Sequence, residues 1–372
     1  MNSIERKELR YIRRKEKRNK KNIERSDKHS SIEQAFSFHK VMYYADKCCK
    51  GVGYKKSTQN FKLHLFTNIA NTCRNIKTNN YIVGKTYKFV INERGKIRNI
   101  DAPHISDRLV HKVLSNEIIM PIYEPHLIYD NGASMKNKGF KFCMDRVKYK
   151  LYKWYKRYGL NGYVVTIDFS KFFPNCSHEV IHNYHKKYIY DDYTIKVIED
   201  YLFIGDGISL GVEIAQREAC IVPNVLDHFI QNKGLFVERY MDDTFFLIKE
   251  YNDAINILNE YYKLCDIYKL KINKKKTLII SIGDYFKYCK WKYNIDKNGK
   301  VIRVPVKDTI YRQRRKLRRM LKLDVDVEQT INSFKAYLNI GNSYKYINYI
   351  DNILLNIKKI IEKSLFFLYP NY

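Results

Sequence analysis

Three aspartates stand in settings where a carboxylate can do chemistry. Asp168 closes YVVTID, a short apolar, β-branched run that reads as a buried central strand. Asp242 and Asp243 sit side by side further along, between the apolar runs FVERY and TFFLI, which predicts a β-hairpin with both acids at its tip. Adjacent carboxylates in a tight turn repel each other unless a cation lies there. With a third carboxylate on a neighbouring strand they would make an all-oxygen donor set. Such a set suits two divalent ions about 3.5 to 4 Å apart, the arrangement that serves in-line phosphoryl transfer. Mg²⁺ favours that all-oxygen shell. Taken without its flanks, an Asp-Asp pair reads as a polar turn, because turns so often carry Asp.

The elements that must position these acids are spread over 372 residues, 45% of them hydrophobic, enough for two or three subdomains. A helix is expected from about residue 37 (Phe38, Val41, Met42, Ala45), then a strand over Tyr81–Asn92 and a second hairpin strand presenting Lys96 and Arg98. A helix follows from near Ser106 to Pro121. Residues 178–203 look helical, Ser209 to Ile230 reads as a loop feeding a helix, and a further helix is expected from about Asp253 to Tyr268. TLIISI reads as a strand, and residues 286–304 as one hairpin, FKYCKWKYNI against KVIRV, turning at Asp296 to Gly299. The last 65 or so residues carry Ile331, Phe334 and Leu338, then Ile347, Ile350, Leu354, Ile357 and Ile361, at helical spacing. The class is α+β.

Lys and Arg total 69 against 39 Asp and Glu, a net charge of +30, which favours a polyanionic partner such as nucleic acid. AT-rich coding sequence also produces a Lys-, Asn-, Ile- and Tyr-rich chain with 33 Tyr, so the distribution of charge counts for more than its total. Residues 1 to about 31 hold 12 basic and 5 acidic side chains, and this arm is expected to be disordered or a solvated helix that settles on phosphates; a solubilising tail is the alternative. The eight cysteines show no C-x-x-C spacing and are expected to be reduced. The charged N-terminus, and the lack of any apolar stretch near the ~18 residues of a membrane span, give a cytoplasmic, membrane-free expectation. His178, His182 and His185 follow a spacing that can present imidazoles on one helix face to zinc; with no fourth ligand near, they are expected to be polar surface.

The flanks of the acidic pair decide its reading. YMDD at Tyr240–Asp243, with apolar runs on both sides and a strand-end Asp upstream, resembles the active site of reverse transcriptases, and the match to the bacterial reverse transcriptase family extends from about residue 85 to the C-terminus. IDFSKFFPN resembles that family's first palm motif, which implies Asp168 as a metal ligand and Phe173 as the aromatic gate that excludes a ribose 2′-OH; Phe172 or Phe173 is core in the plainer reading. SLGVEIAQ resembles the second motif and implies Gly211 and Gln216 at the nucleotide, with Ser209 and Leu210 departing from the usual L-P-Q-G form. KLKINKKKT resembles the fourth, where Lys276 would protonate the leaving pyrophosphate; a solvated basic face is the alternative.

FKYCKWKYNI is similar to the primer grip, implying Trp291 and its neighbours near the primer end, and the YMDD resemblance implies that Tyr240 meets nucleic acid. KIRNIDAPHISDRLVHKVL and IYDNGASMKNKGF are similar to the fingers segments, implying Lys96 and Arg98 at the triphosphate, and Arg108 and Lys138 in structure or template contact. YRQRRKLRRMLK carries seven basic residues and no acid. Arg312, Arg314, Arg315, Lys316, Arg318 and Arg319 would track duplex phosphates, with Leu317, Met320 and Leu321 left for packing; a neutral solvated face is the alternative.

The resemblance implies a right-hand polymerase with a basic extension (1–36), fingers (37–160), palm with primer-grip hairpin (161–304) and helical thumb (305–372). It would extend a DNA primer on an RNA template with dNTPs and two Mg²⁺, Mn²⁺ being a possible substitute. The segment after the palm is too short for maturase and endonuclease domains, which turns the expectation from mobile introns toward bacterial antiviral defence with a cognate noncoding RNA. Diversity-generating or retron-type elements, an accessory protein or oligomer, template-independent or protein-primed synthesis, and a catalytically idle RNA-binding scaffold remain as alternatives.

Overall fold

The computed structural model describes residues 2–352 apart from Arg94, Asp324 and Tyr349. Its main helices are α1 (Ser3–His29), α2 (Ile32–Ala35), α3 (Phe38–Cys49), α4 (Lys56–Leu63), α5 (Leu65–Lys77), α6 (Ile105–Val113), α7 (Met120–Tyr123), α8 (Phe140–Tyr158), α9 (His178–Tyr188), α10 (Asp192–Leu202), α11 (Glu213–Ile221), α12 (Asn224–Asn232), α13 (Tyr251–Ile267), α14 (Lys307–Lys322) and α15 (Glu328–Leu338). The strands are β1 (Tyr87–Glu93), β2 (Lys96–Ala102), β3 (Tyr163–Asp168), β4 (Phe236–Tyr240), β5 (Asp243–Ile248), β6 (Leu278–Ser281), β7 (Phe286–Tyr288), β8 (Trp291–Ile295) and β9 (Val301–Pro305). Contacts divide the chain into two units, each assembled from separated segments.

The first unit holds residues 1–139, 168–234 and 256–274 and is mostly helical. The basic arm is helix α1, started by a reciprocal cap in which the Asn2 and Glu5 side chains each accept the other's backbone N–H at 2.8 Å. Val41, Tyr44, Ala45 and Cys48 form the buried stripe of α3, and Ile105, Leu109, Val110 and Val113 that of α6. The helix expected from Ser106 to Pro121 widens into a π-helical turn over Leu114–Ile119 before α7. Asp107 is buried beneath it as a structural acceptor, taking hydrogen bonds from the Tyr81 and Tyr201 hydroxyls, each at 2.8 Å, and from the Gly84 N–H at 3.2 Å. Tyr81 itself lies outside the strand: β1 starts only at Tyr87.

The second unit holds residues 140–167, 235–255 and 275–372. It contains a four-stranded sheet ordered β4-β5-β3-β6 and a three-stranded sheet ordered β7-β8-β9. Every residue of β3 after Tyr163 is buried, as the unbroken apolar run predicted for a central strand. Strands β8 and β9 alternate buried and half-buried residues, one face to the core. That core joins Cys143, Met144, Val147, Leu151 and Trp154 of α8 to Val164, Phe245, Leu247, Trp291, Tyr293, Ile295 and Val301.

Two expectations need correction here. FKYCKWKYNI is two strands, broken at Cys289 and Lys290, whose φ of 47° and 69° make a two-residue reversal between β7 and β8. Neither residue type signals such a turn. On α14 the buried positions are Ile310 and Leu317, with Met320 packed beside them, while Leu321 faces solvent. Ile331, Phe334, Leu338 and Ile350 join this small cluster as expected; Leu354, Ile357 and Ile361 lie outside the described residues. All eight cysteines are buried and none is in a disulfide. No described helix is long and apolar enough to cross a membrane.

Candidate active site

The β4-β5 hairpin closes through Tyr240 paired with Asp243, leaving Met241 and Asp242 as a two-residue turn. Met241 has φ +53°, a left-handed conformation that a bulky side chain rarely adopts in a tight turn. The neighbourhood imposes it. The fully buried Arg239 donates from Nη1 to the Met241 carbonyl at 3.3 Å, and the Tyr288 hydroxyl donates to the Asp243 carbonyl at 3.3 Å. Behind the turn, Lys150 and Glu238 form a buried ion pair at 2.5 Å. Asp242 and Asp243 are half-buried, and burial followed by the charge of Asp243 pushes the Cys289 thiol well above its usual range. Tyr240 packs edge-on against Phe140 at 5.7 Å.

Strand β3 is the sheet neighbour of β5, and Asp168 is its last residue. The sequence reading missed Asn273, which grips Asp168 twice: its N–H donates to the Asp168 carbonyl at 2.8 Å and its side-chain amide to Asp168 Oδ2 at 3.1 Å. The signal was present in KLKINKKKT, where Asn273 is the one side-chain amide amid lysines. Phe172 is buried and stacks on Phe169 at 5.3 Å, whereas Phe173 is half-exposed, so Phe172 is the core member of the pair.

In the first unit, Ser209, Leu210 and Gly211 fasten to β2. The Leu210 carbonyl accepts the Asp101 N–H at 2.9 Å, and the Ser209 hydroxyl donates to Asp101 Oδ2 at 2.7 Å. Gly211 has φ +109°, and a Cβ there would stand 2.6 Å from the Asp101 carbonyl oxygen, so the close approach it allows in this chain is to strand β2. Gly211 and Gln216 line a cleft of about 830 Å³ whose other walls include Lys47, Arg108, Lys112, Lys136 and Arg217. Glu213, its acid, is paired with Lys112 at 2.9 Å, leaving the wall strongly basic. Lys138 is tied to the carbonyls of Tyr129 and Asn131, a structural position.

Lys96 and Arg98 stand on the exposed β1-β2 hairpin, where Arg98 Nε pairs with Glu93 at 2.9 Å, a solvent-facing contact that contributes little stability. Lys276 is exposed in the turn before β6. On α14, Arg315, Lys316, Arg318 and Arg319 are exposed, while Arg312 is engaged by Asp308 at 3.0 Å and Arg314 is half-buried. Trp291 does not fit the role expected of it. It is fully buried, with Tyr337 at 4.8 Å between ring centroids and Gly341 packed so closely that a Cβ there would lie 2.7 Å from the Arg303 carbonyl. A wholly buried indole supports its sheet and cannot touch a primer.

The histidines of α9, expected at the polar surface, are not exposed: His178 and His182 are half-buried, and His185 is fully buried because carboxylates face it from both ring nitrogens. His178 meets the Gly207 carbonyl at 2.6 Å, while His182 and His185 converge on Glu199 at 2.9 and 2.8 Å. Among the described residues, no three His, Cys, Asp or Glu side chains are drawn together tightly enough to cage a metal ion. Asp242 and Asp243, side by side at the hairpin turn, are hard oxygen donors of the kind a divalent cation accepts.

The acidic pair thus sits at a hairpin turn in a mixed sheet and helix framework. Residues 84–316 match the model of the reverse transcriptase (RNA-dependent DNA polymerase) family, and the chain belongs to that family, with its right-hand polymerase fold. Among solved structures it is similar to telomerase from Candida albicans in complex with a fragment of telomeric RNA (11% identity, TM-score 0.46, covering 61% of this chain and 47% of that one). Two structures of apo telomerase from Candida tropicalis, the first truncated from its C-terminal domain, match at 13% and 10% identity, with TM-scores of 0.43 and 0.46. They cover 59% and 58% of this chain and 56% and 47% of theirs. The chain thus spans about half the length of these telomerases. No curated protein matches it in sequence.

Proposed function

We propose that this chain is an RNA-directed DNA polymerase that extends a DNA primer on an RNA template with dNTPs. The observation that carries the reading is the two-residue turn presenting Asp242 and Asp243, with Met241 held at φ +53°, inside a reverse transcriptase domain. Asp168, Asp242 and Asp243 would hold two Mg²⁺, or Mn²⁺ in their place. The ions would supply charge neutralisation at the attacking and leaving oxygens.

The chain's own residues supply the rest. Asn273 holds Asp168 in one orientation. Lys96 and Arg98 bind the triphosphate, whose higher charge displaces Glu93 from the guanidinium fork. Phe173, half-exposed after β3, bars a 2′-hydroxyl, and Lys276 delivers a proton to the departing pyrophosphate. Gly211 and Gln216 border the basic cleft, which fits a strand of phosphates. Arg315, Lys316, Arg318 and Arg319 would follow the duplex from α14. In this reading residues 37–160 are fingers, 161–304 palm and 305–372 thumb, after a basic extension over 1–36.

The role we favour is bacterial antiviral defence, in the cytoplasm, with a cognate noncoding RNA and an accessory protein or oligomer as further partners. The departure from L-P-Q-G at Ser209 and Leu210 supports it over a diversity-generating or retron-type element, and Ser209 has a use of its own on Asp101. The test is primer extension by the purified chain on an RNA template, with the nucleic acid that co-purifies sequenced alongside. Asp242→Asn and Asp168→Ala should abolish incorporation while RNA binding persists. Retained synthesis in either variant refutes the assignment, and RNA binding without synthesis in the wild type favours an idle scaffold.

A further inference from the structure

Helix α1 sorts its charge. Lys7, Arg10, Tyr11, Arg14, Lys17, Arg18 and Lys21 line one continuous trough along it, and all seven are exposed. At about 100° per residue they occupy one third of the helix circumference, and Glu5, Glu8 and Glu16 fall on the far side. From Lys7 to Lys21 the stripe is about 21 Å long at 1.5 Å per residue. No acid interrupts it.

The helix is anchored at one end. Ser26 and Ser30 are buried, and His29 Nδ1 donates to the Glu117 carbonyl at 2.9 Å. The Ser30 hydroxyl accepts the Tyr190 N–H at 2.9 Å, and its carbonyl accepts the Thr194 hydroxyl at 2.7 Å. Everything from Glu5 to Lys21 projects into solvent. A rigid rod of six cations, held from its C-terminal end, is a surface built for a partner with regularly spaced negative charge.

We propose that α1 is a docking surface for double-helical RNA, separate from the strand being copied. A duplex offers fixed rows of phosphates that a straight helix can follow, and A-form RNA is recognised through shape and backbone rather than base edges. Single strands are held by repeated aromatic stacking, and Tyr11 is the stripe's one aromatic ring. An interfacial membrane helix needs a continuous apolar face opposite its basic one, and here Leu9 and Ile12 on that side are interrupted by Glu5 and Glu16, with Glu8 at its edge. The choice of RNA over DNA rests on the polymerase reading.

The test uses the full chain and a blunt 20-base-pair RNA duplex of arbitrary sequence, with affinity followed over a salt series. R10Q/R14Q/R18Q removes three stripe charges, and R13Q/K15Q/K20Q removes three beside it. The stripe variant should weaken binding at least about tenfold and flatten the slope of log affinity against log salt by about 2 to 3. The flanking variant should change the slope by less than about 1. Both should extend a primer on a short unstructured RNA as the wild type does, with unchanged helical circular dichroism. Equal effects from both variants, or none from the first, overturn the proposal. So does equal binding and equal loss with a DNA duplex, or stripe-dependent binding to anionic vesicles but not to RNA. A wild type that binds the duplex yet extends no primer overturns the polymerase reading instead and leaves the stripe standing.

Discussion

Asn273 holds Asp168 by two hydrogen bonds at once, backbone to carbonyl at 2.8 Å and side-chain amide to carboxylate at 3.1 Å. A carboxylate steered this way keeps its free oxygen aimed in one direction. Asn273→Ala should lower incorporation about 10- to 100-fold, the usual loss when an outer partner of a metal ligand is removed. The rate should recover in part at raised Mg²⁺, which a titration of rate against metal concentration reads directly. A variant with wild-type metal dependence would make Asn273 a fold residue only.

Met241 carries its backbone strain in the acidic turn. A β-branched residue tolerates φ +53° worse still, so Met241→Val should cost about 1–3 kcal/mol, whereas Met241→Gly should leave stability within about 1 kcal/mol. Chemical denaturation midpoints of the three chains provide the check.

Lys150 and Glu238 are both almost wholly buried, and neither can be solvated alone. Lys150→Ala should destabilise the protein by about 3–5 kcal/mol, while Lys150→Met combined with Glu238→Leu should be far milder. A double-mutant cycle in urea measures the difference.

Three histidines set opposing pH responses. Burial works against the charge on His185, but the Glu218 and Glu199 carboxylates prevail and hold its pKa up at about 9. His182 shares Glu199 with it. A raised imidazole stabilises fully below its ordinary 6.5, and that contribution is lost as pH climbs toward 9. Burial holds His111 and His126 down at about 4, so the unfolded chain takes up protons the folded one refuses as pH falls below 6.5. Thermal midpoints between about pH 5 and 9 should peak near 6.5, and His185→Gln should flatten the alkaline limb only.

The chemistry-bearing acids were legible because they are adjacent in sequence to strands whose apolar runs leave little choice of structure. Strand β3 and the YMDD turn are local features, and residue type announces them. Asp107 and Gly211 were harder: both lie in motifs, yet what they touch, Tyr201 for one and Asp101 for the other, is set by tertiary packing. The split between β7 and β8 was illegible because Cys289 and Lys290 are forced into left-handed geometry by the sheet around them. Trp291 was misread for a related reason. Large aromatics serve cores and binding surfaces alike, and only the chain returning at Gly341 decides which. The basic arm could be read as charged but not as ordered, since its order depends on anchors at Tyr190 and Thr194, some 160 residues away.

The burial of all eight thiols, none of them in a disulfide, gives this protein a built-in clock. Burial pushes Cys48 up to about 11 and Cys176 up to about 12, so neither presents a thiolate to an alkylating reagent while the fold is closed. Cys48, Cys176 and Cys220 report from the first unit, Cys143 and Cys289 from the second. The order in which a mass spectrometer finds them modified would rank the openings of each unit, with no label introduced by mutation.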